Sequence, residues 1–337
     1  MEKLQILYRA IRKLHEKIRD DVLDACENNP PEALSQIDHE AREDTIYAID
    51  RISDTRLIEF FENQIANQIP LVLIAEGIPG GRALLPGGIS EDEIEYYVII
   101  DPIDGTREIM YQKRSAWILT GVSANKNHTL PTLQDIEFAI QTEIPLVKQH
   151  LCDVIWAFRQ EGAHAERFNR LTREYRPITL KPSQSKTIAH GFAMIARLFP
   201  GAREILAEID EEIIRNILGN AVSGKAHCFE DQYLSTGGQI YELISGHDRF
   251  IADLRPLMNT LLKKRGLSPG LCCHPYDICT ELIAREMGVI ITDPLGNPLQ
   301  NQLSVTDEVA WVGYANADIR AQVEPHLQQA LKKRRLL

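Results

Sequence analysis

The sequence predicts an α/β protein of the α+β kind, in which helices cover a sheet made mostly of antiparallel strands. At the start of the chain, apolar residues recur every three or four positions from Leu4 to Val22, as in an amphipathic helix. Short apolar stretches bounded by turn residues follow, as in strands. Near the end of the chain, strand-like and helix-like segments alternate. These three observations favour stacked layers of helix and sheet.

The elements expected in the first half are two helices and then a series of strands. The first helix ends at the two prolines Pro30 and Pro31, and a second is expected from about residue 42 to residue 67. Residues 77–88 are rich in Gly and Pro and are expected to form a loop. The expected strands are 71–75, 95–100, 115–125, 136–142 and 153–159.

The second half is expected to form a separate unit. Prolines and polar residues accumulate at 176–185, which divides the chain into an N-terminal unit 1–180 and a C-terminal unit 181–337. In the second unit, Ser235 is expected to cap a helix with its hydroxyl group, and residues 255–271 have the character of an insertion. Further strands are expected at 187–193, 249–254, 288–292 and 309–314, and further helices at 202–218, from Tyr276 and from Ala317.

Composition and charge restrict the class of partner. Hydrophobic residues make up 44% and charged residues 25% of the 337 residues, as in ordinary globular proteins. The net charge of −11 argues against a nucleic-acid polymer, because phosphate contacts need a basic surface. A small phosphorylated substrate stays compatible with this charge, because bound metal ions would reverse the local field.

The sequence also predicts where the protein resides. Residues 1–26 carry charges throughout, so no signal peptide is expected, and no apolar stretch is long enough to cross a membrane. Six cysteines in this length do not resemble a disulfide framework. We therefore expect a cytoplasmic protein without membrane attachment, and leave open whether it forms a homodimer.

The most informative motif follows the apolar stretch at 96–100. Asp101 and Asp104 are two carboxylates three positions apart, and between them Ile103 can offer a backbone carbonyl. Oxygen ligands of this kind suit Mg²⁺ or Mn²⁺ rather than zinc. Gly105 would allow a phosphate group to approach the backbone closely, and Thr106 adds a hydroxyl group. The motif therefore predicts a place where metal and phosphate meet.

Three further carboxylates stand in segments before and after this motif. Glu76 ends the preceding apolar stretch, Asp277 precedes a helical segment, and Asp50 lies in a segment expected to be helical. Four acidic segments in this order, over residues 44–296, resemble the inositol monophosphatase-like superfamily of Mg²⁺-dependent, lithium-sensitive phosphatases. That superfamily includes fructose-1,6-bisphosphatases and 3'(2'),5'-bisphosphate nucleotidases. The resemblance implies a layered α-β-α-β-α sandwich of the sugar-phosphatase type.

The resemblance also implies a set of metal ligands. Glu76, Asp101 and the carbonyl group of Ile103 would hold one Mg²⁺ ion, and Asp101, Asp104 and Asp277 would hold a second. Mn²⁺ suits the same oxygen donors, and relatives that bind a third, weaker ion carry a second acid where this chain has a glycine after Glu76. The implied activity is that of a phosphoric monoester hydrolase in which two metal ions activate a water molecule.

Catalytic and substrate-binding roles follow from the same resemblance. Thr106 paired with Asp50 would orient and deprotonate the water, beside Glu76, and the backbone N–H groups of Gly105 and Thr106 would bind phosphate oxygens. The substrate-binding positions implied further along the chain are Ser235, Thr236 and Asp253, the last near an acid that contacts a sugar hydroxyl group in relatives.

Several alternatives stay open at this point. The substrate could be an inositol monophosphate or a related sugar or polyol phosphate, a 3'(2'),5'-bisphosphate nucleotide or fructose 1,6-bisphosphate. A non-catalytic homologue that binds metal or ligand is the alternative of another class. A zinc site is a weaker alternative to free thiols, and it would use Cys272, Cys273, His274 and Cys279.

Overall fold

The computed structural model describes residues 2–40, 45–47, 49, 57–126 and 129–337. In these ranges the helices are α1 (Glu2–Asn28), α2 (Pro31–Leu34), α3 (57–66), α4 (Thr106–Met110), α5 (Arg203–Leu218), α6 (Thr236–Ile244), α7 (Arg255–Lys264), α8 (Glu281–Glu286) and α9 (Ala317–Lys333). The strands are β1 (Ile37–Glu40), β2 (Thr45–Tyr47), β3 (Leu71–Ile74), β4 (Arg82–Leu85), β5 (Tyr96–Asp104), β6 (Ala116–Ala124), β7 (Phe138–Ile144), β8 (Leu151–Phe158), β9 (Ala163–Asn169), β10 (Glu174–Pro177), β11 (Phe192–Ile195), β12 (Asp248–Asp253), β13 (Ile290–Thr292) and β14 (Trp311–Tyr314).

An eight-stranded sheet forms most of the first half, with the strand order β10-β9-β8-β7-β6-β5-β3-β4. Its neighbouring strands are antiparallel, apart from the parallel pair of β3 and β5. Because parallel strands end at the same edge of a sheet, the chain leaves β3 and β5 side by side. This pairing brings the segment after β3, which contains Glu76, toward the acidic end of β5.

A four-stranded sheet in the second half has the order β11-β12-β14-β13. β11 and β12 are parallel, and the other two pairs are antiparallel. The C-terminal end of β12 leads directly into α7, which starts at Arg255 with a proline in its first turn. Residues 255–271, expected to be an insertion, therefore begin with a helix.

Three apolar clusters bind the layers together. The first lies between α1, α3 and one face of the eight-stranded sheet. The second joins the other face of that sheet, through α6 and α8, to the four-stranded sheet. The third lies between the far face of the four-stranded sheet and α5, α7 and α9. The resulting order of layers, α-β-α-β-α, confirms the predicted sandwich.

Some element predictions were wrong. Residues 45–47, expected to be helical, form β2, which pairs with β1; their β-branched and aromatic side chains favour a strand. Residues 77–88, expected to be a loop, contain β4 at an edge of the large sheet. The strand expected at 187–193 lies at 192–195, and β9 and β10 were not predicted. Among the described residues, the helices are too short or too polar to cross a membrane.

Candidate metal and phosphate site

The end of β5 places its two aspartates on a sharp turn into α4. The pairing of β5 with β6 is irregular between Asp101 and Asp104, and the backbone N–H of Ile103 donates a 3.0 Å hydrogen bond to Oδ1 of Asp101. Gly105 then adopts φ 95°, a left-handed conformation that side chains disfavour. A Cβ atom at this glycine would lie 3.0 Å from Cβ of Ser235, so the turn needs glycine for space as well.

Three aspartates meet at this turn. A carboxylate oxygen from each of Asp101, Asp104 and Asp277 lies within 4.8 Å of the others, so the cluster could hold a metal ion. Burial, and after it the charges of Asp104 and Asp277, raises the pKa of Asp101 well above its usual range. Burial and then the charge of Asp277 raise the pKa of Asp104 to about 8. A cation between the three groups would remove this repulsion and keep them ionised.

Asp104 is bound by the N-terminus of α6. Its Oδ2 atom accepts a 2.7 Å hydrogen bond from the hydroxyl group of Ser235 and a 2.6 Å hydrogen bond from the N–H of Gly237. Oδ1 accepts a 3.3 Å hydrogen bond from the N–H of Thr236. Hydrogen bonds to the ionised form lower the pKa of Asp104 and so act against burial. The Ser235 oxygen also accepts from Gly238, as the predicted N-cap would.

Asp277 comes from a different layer. It lies in the turn before α8, and its Oδ2 atom accepts a 2.6 Å hydrogen bond from the N–H of His274. The packing of α8 against β7 and β8 brings this turn to the end of β5. The cluster therefore depends on contacts between segments about 170 residues apart in the sequence.

A cavity of about 100 Å³ opens beside the aspartates. Eight of the positions predicted from the sequence line it: Glu76, Asp101, Ile103, Asp104, Gly105, Thr106, Thr236 and Asp277. The remaining lining residues are Tyr47, Gly77, Pro102, Arg107, Phe199, Leu234, Arg255, Leu271, Cys272 and Tyr276. The N-terminal and C-terminal halves of the chain thus both contribute to the cavity.

The predicted catalytic hydroxyl group lies in this cavity with a defined partner. Thr106 donates a 2.8 Å hydrogen bond from Oγ1 to the carbonyl oxygen of Ile103, the carbonyl group predicted to bind metal. The role predicted for Asp50 falls on a residue outside the described part of the chain.

Two residues that were predicted to contact the substrate lie behind the residues that line the cavity. Ser235 is completely buried and contacts Asp104. Asp253, also completely buried, does not line the cavity. Its carboxylate binds Nε of Arg255 at 2.8 Å and Nη2 at 2.5 Å. The residue in the cavity is therefore the cation Arg255, where the sequence led us to expect an acid.

The sequence analysis missed Arg255 and the aromatic residues around it. The guanidinium carbon of Arg255 lies 5.3 Å from the ring centre of Phe199, and that of Arg107 lies 5.4 Å from the same ring. A local signal for Arg255 existed, because the Asp-x-Arg-Pro sequence at the end of a predicted strand marks a helix start there.

The cysteines and the Lys113–Arg114 pair lie outside the aspartate cluster. All six cysteines are free thiols, and among the described residues they form no group with metal-ligand geometry. Arg114 forms an ion pair with Asp231 and, together with Lys113, lines a separate cavity.

Comparison with solved structures relates this arrangement to known proteins. The extragenic suppressor protein SuhB from Bartonella henselae matches with a TM-score of 0.62 at 13% sequence identity, over 96% of this chain and 98% of that one. Fructose-1,6-bisphosphatase from Leishmania major matches with a TM-score of 0.67 at 13% identity, over 98% and 94%. Inositol monophosphatase II from Staphylococcus aureus matches with a TM-score of 0.60 at 15% identity, over 97% and 96%.

The sequence comparisons found no relative, since no protein-family model and no curated protein sequence matches the chain. The structural matches extend over nearly the whole length of both partners, so they concern the complete layered architecture. The chain therefore has the fold of the inositol monophosphatase-like superfamily.

Proposed function

We propose that the protein is a Mg²⁺-dependent phosphatase that hydrolyses the phosphate monoester of a small metabolite. The observation that carries this proposal is the meeting of Asp101, Asp104 and Asp277 beside a cavity that also contains Thr106. Three mutually repelling carboxylates beside a cavity are what a cation-dependent phosphate site needs. An inositol monophosphate, or a related sugar or polyol phosphate, is the substrate that we put first.

The residues fit Mg²⁺ by their chemistry. Asp101, Asp104 and Asp277 offer hard oxygen donors, which Mg²⁺ and Mn²⁺ prefer. Glu76 and the carbonyl group of Ile103 line the same cavity and would complete the site for a second ion. Two bound ions would supply a water molecule of lowered pKa and stabilise the charge of the departing oxygen.

The protein's own groups would orient the phosphate and the water. Gly105 and Thr106 line the cavity at the turn after β5, where their N–H groups would bind phosphate oxygens. The Thr106 hydroxyl group donates to the carbonyl oxygen of Ile103, and in the proposed mechanism its oxygen would accept a hydrogen bond from the water molecule. For Thr106 to take the proton, its own proton would pass to a base, and we assign that role to Asp50.

Three alternatives are retained. Two are enzymes of the same fold, a 3'(2'),5'-bisphosphate nucleotidase and a fructose-1,6-bisphosphatase, and they differ from the leading proposal only in the substrate. The third is a non-catalytic homologue that binds a metal or a ligand for regulation. The complete set of cavity carboxylates, together with Thr106, favours an enzyme over this third alternative.

Phosphate release from a panel of substrates tests the proposal. The purified protein is incubated with Mg²⁺ and with inositol 1-phosphate, fructose 1,6-bisphosphate or adenosine 3',5'-bisphosphate. We expect release from at least one substrate, at least a 100-fold loss in Asp101→Asn, and full activity in Asp24→Asn, whose carboxylate is exposed on α1. Metal binding by the wild type without any release would instead favour the non-catalytic homologue.

A further inference from the structure

A buried glutamine on β7 connects two segments of the C-terminal half. Gln141 is completely buried and belongs to an inner strand of the large sheet. Its Nε2 atom donates a 2.7 Å hydrogen bond to the carbonyl oxygen of Gly237, in the first turn of α6. Its Oε1 atom accepts a 3.1 Å hydrogen bond from the hydroxyl group of Thr280, directly before α8. One side chain therefore bonds the starts of two helices to the sheet.

The chemistry of the two partners fixes the orientation of this amide group. A carbonyl oxygen only accepts hydrogen bonds, so the amide nitrogen of Gln141 must face Gly237. The amide oxygen then faces Thr280, whose hydroxyl group can donate to it. The side chain thus needs a donor and an acceptor at its end. Methionine has a similar length but would lose both hydrogen bonds.

Each of the two connected segments serves one member of the aspartate cluster. The backbone N–H of Gly237 donates a 2.6 Å hydrogen bond to Oδ2 of Asp104, so Gln141 binds the same residue that binds this carboxylate. Thr280 follows Asp277 by three residues, in the turn that brings Asp277 to the end of β5. Gln141 therefore acts on both carboxylates through one intervening segment each.

The same two segments also pack closely against β6, the neighbouring strand. A Cβ atom at Gly237 would lie 2.5 Å from Cδ2 of Leu119 and 3.0 Å from Oδ2 of Asp104. A Cβ atom at Gly121 would lie 2.9 Å from the carbonyl oxygen of Cys279, in the turn that follows Asp277. Apolar packing thus presses both segments onto the sheet, and Gln141 adds the polar bonds that fix their positions along it.

The cluster needs such a connection because its members repel one another. Carboxylate oxygens of Asp104 and Asp277 lie within 4.8 Å, and like charges at this distance favour separation of the segments that carry them. The spacing matters for the ion that binds. Mg²⁺ requires oxygens at about 2.0–2.1 Å in a nearly ideal octahedron, whereas Ca²⁺ accepts about 2.3–2.6 Å and a variable geometry. Carboxylates held close together suit the smaller ion.

We propose that Gln141 is a positioning residue that fixes the spacing of Asp104 and Asp277 and so makes the aspartate cluster selective for Mg²⁺ over Ca²⁺. The amide does this through Gly237 and Thr280, without adding a charge to the site. The inference rests on the proposed function, because it concerns the cation that this function requires. It assigns the selectivity for that cation to a residue outside the ligand set.

Calorimetric titration of the metal-free protein with MgCl₂ and with CaCl₂, without substrate, tests the proposal. The quantity compared is the ratio of the two dissociation constants. We expect Q141M to weaken Mg²⁺ binding about tenfold, as the loss of buried hydrogen bonds predicts. Ca²⁺ binding should weaken only about twofold, because the larger ion tolerates a looser site. A variant that was merely less stable would leave this ratio unchanged.

Two further variants separate positioning from a general loss of stability. T280V removes one of the two hydrogen bonds of Gln141, so we expect a ratio between those of the wild type and Q141M. T142V is the matched control on the same strand. The Thr142 hydroxyl oxygen lies 2.9 Å from Nδ1 of His15 on α1, on the opposite face of the sheet. T142V should lower the thermal midpoint and keep the wild-type ratio.

The outcomes separate this proposal from the phosphatase proposal. Equal weakening of Mg²⁺ and Ca²⁺ binding in Q141M, or a shift of the ratio as large in T142V, overturns the positioning role while the metal site stands. If Q141M does not fold or binds neither ion, the ratio of T280V decides, and a wild-type value overturns the role. A wild type that binds neither ion overturns both proposals. Cation binding without phosphate release overturns only the phosphatase, and the ratio still decides the role of Gln141.

Discussion

The hydroxyl group of Ser235 donates a 2.7 Å hydrogen bond to Oδ2 of Asp104, so the first turn of α6 holds one carboxylate of the aspartate cluster in place. Ser235 belongs to the C-terminal half and Asp104 to the end of β5. The same serine oxygen accepts from the N–H of Gly238 and caps the helix. One side chain therefore connects the start of a helix in the middle layer to the ionisation of a candidate metal ligand.

Replacing Ser235 by alanine should shift metal binding to higher pH. The Ser235 hydroxyl lowers the pKa of Asp104, which burial raises to about 8, so its loss raises that pKa further. Since a metal ligand must be deprotonated, we expect the half-saturating Mg²⁺ concentration at pH 7 to rise about tenfold and the difference to shrink above pH 9. Titration of Mg²⁺ at several pH values measures this.

The matched control for this variant is Ser245→Ala. Ser245 ends α6, and its hydroxyl group donates to the carbonyl oxygen of Tyr241, so the change affects the same helix far from Asp104. We expect its Mg²⁺ titration to follow that of the wild type. Identical pH profiles for Ser235→Ala and the wild type would mean that the hydrogen bond does not govern metal binding.

Asp101→Asn should stabilise the metal-free protein while removing its response to Mg²⁺. Burial and the charges of Asp104 and Asp277 disfavour the ionised form of Asp101, so an uncharged amide relieves repulsion in the empty site. We expect the thermal midpoint in EDTA to rise by about 2 °C or more, and Mg²⁺ to raise it no further.

Thermal unfolding with and without Mg²⁺ checks this prediction. Mg²⁺ should raise the midpoint of the wild type and of Asp24→Asn, because a ligand that binds only the native state stabilises it. A lower midpoint of Asp101→Asn in EDTA would show that its carboxylate is a structural hydrogen-bond acceptor, for example for the N–H of Ile103, rather than a repelling ligand.

Thr106→Ala should affect rate rather than binding. If its hydroxyl group activates the water, kcat falls about 10²–10⁴-fold, with little change in KM or in the Mg²⁺ requirement. If Thr106 only holds the turn through its 2.8 Å hydrogen bond to Ile103, the variant loses about 1 kcal/mol of stability and keeps its rate. Measuring kcat and thermal midpoint together, with the exposed Thr172→Ala as control, separates the two roles.

How much of the site could be predicted depended on how local its signals are. The strand, turn and helix around Asp101–Thr106 are specified by neighbouring residues, and a glycine with φ 95° is encoded at its own position. Glu76 and Asp277 became interpretable only through their order in the chain. Asp253 binds Arg255, two residues later, and a linear pattern does not show which of two such polar residues lines a cavity.

For the fold too, elements with a strong local signal were predicted, and elements that depend on distant residues were not. β6, which has a long apolar run, was predicted near its true bounds, because burial on both faces leaves a continuous signal. β5 was expected to end at residue 100 and extends to Asp104. β9 is mostly half-buried and carries charged residues, so its strand character depends on pairing with β8. Tertiary pairing of this kind overrides local propensity.

The last prediction concerns a buried histidine that joins α1 to the large sheet. His15 is completely buried. Its Nδ1 atom lies 2.9 Å from Oγ1 of Thr142 and its Nε2 atom 2.8 Å from Oγ1 of Thr120. Burial, with a smaller contribution from the charge of Arg19, lowers the pKa of His15 to about 3. The ring is therefore neutral in the native protein at every pH where the protein would be used.

The sign of the pH effect follows from the lowered pKa. Between about pH 6.5 and pH 3 the unfolded chain binds a proton on His15 and the native protein does not, so stability falls as the pH falls through this window. From pH 7 to pH 5 the loss from this one group is about 2 kcal/mol. His15→Gln keeps an amide donor and acceptor without the titration, so its stability relative to the wild type should improve by that amount at pH 5.

Urea unfolding of the wild type and His15→Gln at pH 7 and pH 5 measures this difference, with the other titrating groups common to both proteins. His150→Gln provides the control, because that histidine is exposed and its removal should leave the pH dependence of the wild type. A wild type and His15→Gln that lose stability in parallel would mean that His15 is protonated in the native state. Its two threonine partners would then accept hydrogen bonds from an imidazolium, and α1 would carry a buried positive charge against the sheet.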